Sequence, residues 1–148
     1  MKFTLATILA VATSATAQNA LQVSPLSAQV LTESQTARID FTIVDLRDGQ
    51  NGASTACSTA WNVGEDSATS WYPCENGLFT FNFPNGIAEI GDFVLQARHA
   101  GFTGSAALNS HAGTAIWRCE APGQTAGTDE ECNLTEGSRV YLQAAPRV

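Results

Sequence analysis

His99 and His111 are the side chains of this sequence best suited to moving protons near neutral pH. Set beside a glutamate and an arginine, they are the parts with which a small secreted ribonuclease cleaves RNA: acid and base flank the phosphodiester, and the cation holds the phosphate. The spacing around His99 points elsewhere. It shares the phase of Phe93, Leu95 and Ala97, so it reads as a hydrogen-bonded core histidine. The carboxylates Asp45 and Asp48, and again Asp129, Glu130 and Glu131, are oxygen ligands of the kind that hold Ca²⁺. Their spacing fits no calcium loop, and a solvated acidic loop is the better reading. Trp61, Trp71, Tyr72 and Trp117 would stack sugars if they shared an exposed face. Trp117 keeps phase with Cys119, however, and Trp71 and Tyr72 lie beside Cys74, where packing against a disulfide is expected.

A Gly-x-Ser-x-Gly elbow, a His-Glu-x-x-His helix, a phosphate-binding loop and a Gly-x-Gly-x-x-Gly turn are all missing from the sequence. No catalytic residue, cofactor site or metal site is assigned, and the protein is not expected to be an enzyme. Asn133-Leu134-Thr135 is the one N-glycosylation sequon and is expected in an exposed acidic loop.

The four cysteines, Cys57, Cys74, Cys119 and Cys132, suit two disulfides in an oxidising compartment. Three connectivities are open. The local pairs, Cys57 with Cys74 and Cys119 with Cys132, are favoured over the crossed ones, and each would contribute roughly 3 kcal/mol by closing a loop of about 15 residues. Zinc is not indicated, because no closely spaced Cys-x2-Cys occurs.

The elements that must position these residues are strands. No window of a dozen residues carries helical periodicity free of Gly, Pro or Ser/Thr clusters. Ile39, Phe41 and Ile43 alternate with Asp40, Thr42 and Val44, ahead of a turn at Asp48-Gly49-Gln50-Asn51-Gly52. Leu21 to Val30, interrupted by Pro25, reads as a weaker strand at an edge. Ser54 to Trp61 reads as a central strand carrying Cys57. Phe79, Phe81 and Phe83 put three rings on one face before the turn Pro84-Asn85-Gly86. Phe93, Leu95 and Ala97 oppose Val94, Gln96 and Arg98, while Ala115, Trp117 and Cys119 oppose Thr114, Ile116 and Arg118. Val140 to Ala144 is the last strand. An all-β, compact antiparallel sandwich or barrel of about seven to nine strands with two internal disulfides is expected. Two connections read as long loops, Ala100 to Gly113 and Glu120 to Gly137, and these are the candidate contact surfaces.

Met1-Lys2, the apolar run Phe3 to Ala10 and the small residues ending in Ala15-Thr16-Ala17 have the form of a secretory signal peptide, with cleavage expected after Ala17. That leaves residues 18–148 as one domain, secreted and extracellular. The apolar run is shorter than the roughly 20 residues of a membrane span, so no membrane association is expected. The chain of 148 residues carries a net charge of -7, and its only lysine, Lys2, lies in the leader. Such a charge repels phosphate backbones. The arginines at 38, 47, 98, 118, 139 and 147 are scattered, which argues against a nucleic-acid partner.

At Trp71-Tyr72-x-Cys74-x-Asn76, then Phe79-x-Phe81-x-Phe83, then Asp92-Phe93-x-Leu95-x-Ala97 and a second cysteine pair, the chain resembles the fungal Alt a 1-like family of secreted allergens and effector-like elicitors. The resemblance implies a compact antiparallel β fold, disulfides pairing Cys57 with Cys74 and Cys119 with Cys132, and no established catalytic machinery. It also implies a protein that binds a host plant component, such as a thaumatin-like defence protein, and modulates or elicits plant immunity. A further implied role is carriage of a small flavonoid-type ligand. The family's namesake has an additional upstream cysteine for a covalent dimer, whereas no cysteine precedes Cys57 here. A monomer or a non-covalent oligomer is therefore expected, with no intermolecular disulfide.

Overall fold

Alternation of inward and outward side chains runs through most of the chain, and each long run of it is a strand. The computed structural model describes residues 20–47, 52–65, 69–112 and 115–144. The expected leader over 1–17, Asp48 to Asn51 of the expected turn, and Thr114 lie outside the described residues. Ten strands follow one another: β1 (Leu21–Leu31), β2 (Thr36–Asp45), β3 (Ser54–Asn62), β4 (Tyr72–Pro73), β5 (Thr80–Asn82), β6 (Asp92–His99), β7 (Phe102–Asn109), β8 (Trp117–Glu120), β9 (Thr128–Leu134) and β10 (Val140–Ala144). All pairings are antiparallel, and no helix of more than a single short turn occurs among the described residues. The all-β expectation holds, with ten strands in place of seven to nine.

The ladder runs β3-β2-β1-β10-β7-β6-β5-β4. Its two ends meet. Cys57 of β3 is bonded to Cys74, one residue beyond β4. Beside that bond the Glu75 N–H donates to the Ala56 carbonyl at 3.0 Å and the Asn76 N–H to Thr55 Oγ1 at 3.1 Å. The first disulfide is thus the seam of a nearly closed barrel, which would otherwise present two open edges. The second, Cys119–Cys132, joins residues directly opposite in the β8–β9 hairpin.

Four expectations about these elements change. β1 is not an edge: it pairs along its length with β2, and on its other side first with β10 through Leu21–Val23 and then with β9 through Ser27–Leu31. Pro25, which has no N–H to give, falls in the register shift between Val23 and Leu26, where one partner gives way to the other. β3 is not central but ends the ladder. Ala100 to Gly113 is not a loop, because Phe102 to Asn109 is paired throughout with β6. Gly104 is a packing requirement: a Cβ there would lie 2.8 Å from the Phe102 ring and 2.9 Å from the Leu142 carbonyl oxygen. Ala100 and Gly101, with φ of 46° and 78°, make the tight turn from β6 into β7. Glu120 to Gly137 is not a loop either, since Thr128 to Leu134 forms β9.

The interior is filled by aromatic rings meeting edge to face. Phe41 meets Phe81 at 5.0 Å, Phe81 meets Phe83 at 5.9 Å, Phe83 meets Phe93 at 5.7 Å, and Phe93 meets Trp117 at 5.9 Å. Such contacts add about 0.5–1.5 kcal/mol each beyond their burial. Phe79, Phe81 and Phe83 are wholly buried, as their alternation requires.

Candidate functional site

The core rings stop short of one end of the barrel, and a cleft of about 340 Å³ opens there. The end of β1, the β1–β2 turn, the end of β3, the segment Ile87–Ile90 and the start of β9 converge on it. Its apolar wall is Val30, Ala37, Trp61, Ile87 and Ile90. Val30 and Ala37 face inward because they are register partners on adjacent strands, and Trp61 is the partner of Ala37 on the next. Ile87, Ala37 and Ile90 are buried, whereas Val63 stands 47% exposed at the rim.

Two of these wall residues are anchored from behind. The Trp117 indole N–H donates to the Ile90 carbonyl at 3.0 Å, within the core. Trp61 leans on Phe83 with ring centroids 6.2 Å apart. The wall is therefore preformed.

Polar groups occupy one side. Asp129 accepts from Thr32 Oγ1 at 2.7 Å and from Gln35 Nε2 at 3.4 Å, which ties β9 to the β1–β2 turn. Glu130 is half-buried, and no hydrogen bond to its carboxylate is found among the described residues. Burial first, and the Glu89 charge second, push its carboxyl above the ordinary glutamate range, with His111 offsetting part of the rise. His111 Nε2 lies 3.7 Å from Glu89 Oε1, with both side chains well exposed. Glu130 also lies within 4.8 Å of the sulfurs of Cys119 and Cys132. Those sulfurs are bonded to each other and offer no thiolate to a metal.

No family model, no curated protein and no solved structure matches the chain. What the site can do rests on its own geometry.

The residues singled out by type are dispersed rather than gathered. His99 belongs to a separate buried cluster: Nδ1 lies 2.6 Å from Asp45 Oδ2, and its ring stacks on Phe79 at 3.9 Å. Asp45 is only 1% exposed and also takes Arg47 Nη2 at 2.6 Å, Arg47 Nε at 3.0 Å and the Arg47 N–H at 2.9 Å. Arg47, first among causes, holds the Asp45 carboxyl well below the usual carboxylate range against the cost of burial, and His99 adds to this. Arg47 continues to the His99 carbonyl at 2.9 Å and lies over the Phe102 ring. Asp45 is thus the centre of a clamp between the end of β2 and the β6–β7 turn, while Asp48 lies outside the described residues.

Glu131, on the opposite face from Glu130, accepts from the Thr125 N–H at 3.0 Å and from Gln29 Nε2 at 3.3 Å. The first of these bonds is the main reason its carboxyl is lowered. Asp129, Glu130 and Glu131 therefore serve different partners. The aromatics form no single platform: Trp117 is core, Tyr72 packs on Phe81 at 5.5 Å, and Trp61 lines the cleft. Trp71 carries the Arg98 guanidinium 3.7 Å from its ring centroid. Asn133 is exposed as a sequon requires, but it lies on β9, opposite Ser27 and Arg118, rather than in a loop.

Sequence reasoning did not find the cleft. The one available signal was Ile87-Ala88-Glu89-Ile90, two large apolar residues in a segment with no strand alternation.

Proposed function

We propose that the protein is a secreted, non-enzymatic binding protein whose barrel end takes up a small, largely apolar molecule. The observation that carries this reading is the preformed apolar cleft of about 340 Å³ beside Trp61. That volume lies at the lower end of the several hundred Å³, roughly 300–1,000, usual for small-molecule sites. Two disulfides are compatible with an extracellular setting. Small-ligand carriage is also among the roles implied by the Alt a 1-like resemblance, which supports the same reading. Capture of a host defence protein would call on the two long connections, and Phe102–Asn109 of the first and Thr128–Leu134 of the second are strand. The cleft therefore has the better structural support.

Titrating isotope-labelled protein with 2-naphthol, a neutral aromatic probe, tests the reading by NMR. The Trp61 indole resonance is expected to shift saturably, and Ala88→Tyr, which places a ring at the mouth, is expected to suppress the shift. An unmoved Trp61 resonance at the solubility limit of the probe would overturn the proposal.

A further inference from the structure

The charges around the cleft are all of one sign. Glu89, Asp129 and Glu130 line it, and among the described residues no lysine, arginine or histidine does. Asp129 is satisfied by Thr32 and Gln35. Glu89 and Glu130 are held less closely: exposed His111 Nε2 lies 3.7 Å from Glu89 Oε1, and no hydrogen bond to the Glu130 carboxylate is found among the described residues. Glu130 also borders an adjoining depression that Arg118, His111 and Glu120 line, but neither Arg118 nor His111 lines the cleft.

A carboxylate held half out of water beside another carboxylate is costly unless a positive group joins it. Trp61 lines the wall, and an aromatic ring also attracts a cation. Building on the reading of the cleft as a small-molecule site, we propose that it selects a protonated amine carried on a compact aromatic or aliphatic body. The ammonium is received by Glu89 and Glu130, and the body lies against Trp61, Ile87 and Ile90. An anionic ligand of the same shape is rejected by the same two carboxylates. A neutral one binds through the wall alone.

Three probes of one shape separate these contributions: phenethylamine, 2-phenylethanol and phenylacetate, each titrated into the wild-type protein at pH 7 with the Trp61 indole resonance as readout. The amine is expected to bind at least tenfold more tightly than the alcohol, and the acid more weakly than either. In the double variant Glu89→Gln/Glu130→Gln the amine and the alcohol are expected to bind alike. Equal affinity of amine and alcohol for the wild-type protein overturns the charge selection while leaving the apolar site standing. Failure of all three probes, together with 2-naphthol, to move Trp61 overturns both. Retention of the amine preference in the double variant refutes the role given to Glu89 and Glu130.

Discussion

Replacing Asp45 with asparagine is the sharpest test of how this barrel is held together, because the carboxylate is 1% exposed and is shared by three groups. Asparagine keeps one acceptor oxygen, so the Arg47 N–H contact can survive. It also puts an amide N–H₂ in place of Oδ2, where both Arg47 Nη2 and His99 Nδ1 approach, and removes the charge that compensates Arg47. A hydrogen bond to a charged group contributes about 1.5–3 kcal/mol, and two are weakened here, but solvent reaching Arg47 reduces its share. The side chain of Arg47 is 32% exposed. The expected loss is about 3 kcal/mol, or about 10 °C in melting temperature for a domain of this size.

Urea denaturation with disulfides intact measures this loss. Arg47→Met alone is expected to cost more than Asp45→Leu combined with Arg47→Met, since the single change leaves a buried carboxylate with His99 as its remaining partner and the double change removes it. The pH dependence has a definite sign. The folded carboxyl lies below its unfolded value of about 3.9, so its contribution is complete above that pH and is lost only as pH falls further. The gap between wild type and Asp45→Asn should therefore hold down to about pH 4 and close below it. An Asp45→Asn protein within about 1 kcal/mol of wild type, or a gap already closed at pH 5.5, would refute the account of the clamp, since these differences exceed the usual error of unfolding measurements.

Removing the seam disulfide by Cys57→Ala/Cys74→Ala is expected to cost roughly 3 kcal/mol. Hydrogen exchange should quicken in β3 and β4 before it does in β1 and β2, and uniform quickening would count against the seam. Glu130→Gln is expected to raise the melting temperature at pH 7, because its carboxyl is pushed up on folding and ionisation then works against the folded state. That gain should shrink as pH falls from the raised folded value toward the unfolded glutamate value of about 4.3 and be gone below it, and a gain independent of pH would contradict the assignment. Protein made in a eukaryotic secretory host is expected to lose mass on enzymatic removal of N-glycans, and Asn133→Gln should abolish the change; an unchanged mass for the wild type would refute occupancy.

The elements legible in the sequence are those in which large apolar and polar side chains alternate. Ile39, Phe41 and Ile43 in β2, the rings of Phe79, Phe81 and Phe83, and Phe93, Leu95 and Ala97 in β6 all point inward as their period demands. β7 escaped because Gly104, Ser105, Ala106 and Ala107 carry almost no hydrophobic contrast, the glycine being required by the close approach of Phe102 and Leu142. β9 escaped because its inward series, Thr128, Glu130, Cys132 and Leu134, includes a carboxylate that reads as solvated. Pro25 misled the placement of β1, since a proline can occupy a fully flanked strand where one partner hands over to the next.

The cleft is a property of closure rather than of any motif, which is why residue types alone could not reveal it. The seam brings β3 round to β4, and Trp61 on β3 is thereby fixed against Phe83 across the interior. The handover on β1 brings β9 rather than β10 to that end, so Glu130 arrives as the register partner of Val30. Ala37, between Val30 and Trp61 in register, is the smallest side chain of the wall and leaves the space that larger residues fill elsewhere in the core. Because Ile90 and Trp61 are already held by Trp117 and Phe83, a ligand entering this space would order little of the protein, and that cost of binding is largely avoided. A site of this kind discriminates by shape and by the charge at its rim, and the carboxylates of Glu89 and Glu130 are where its selectivity is expected to reside.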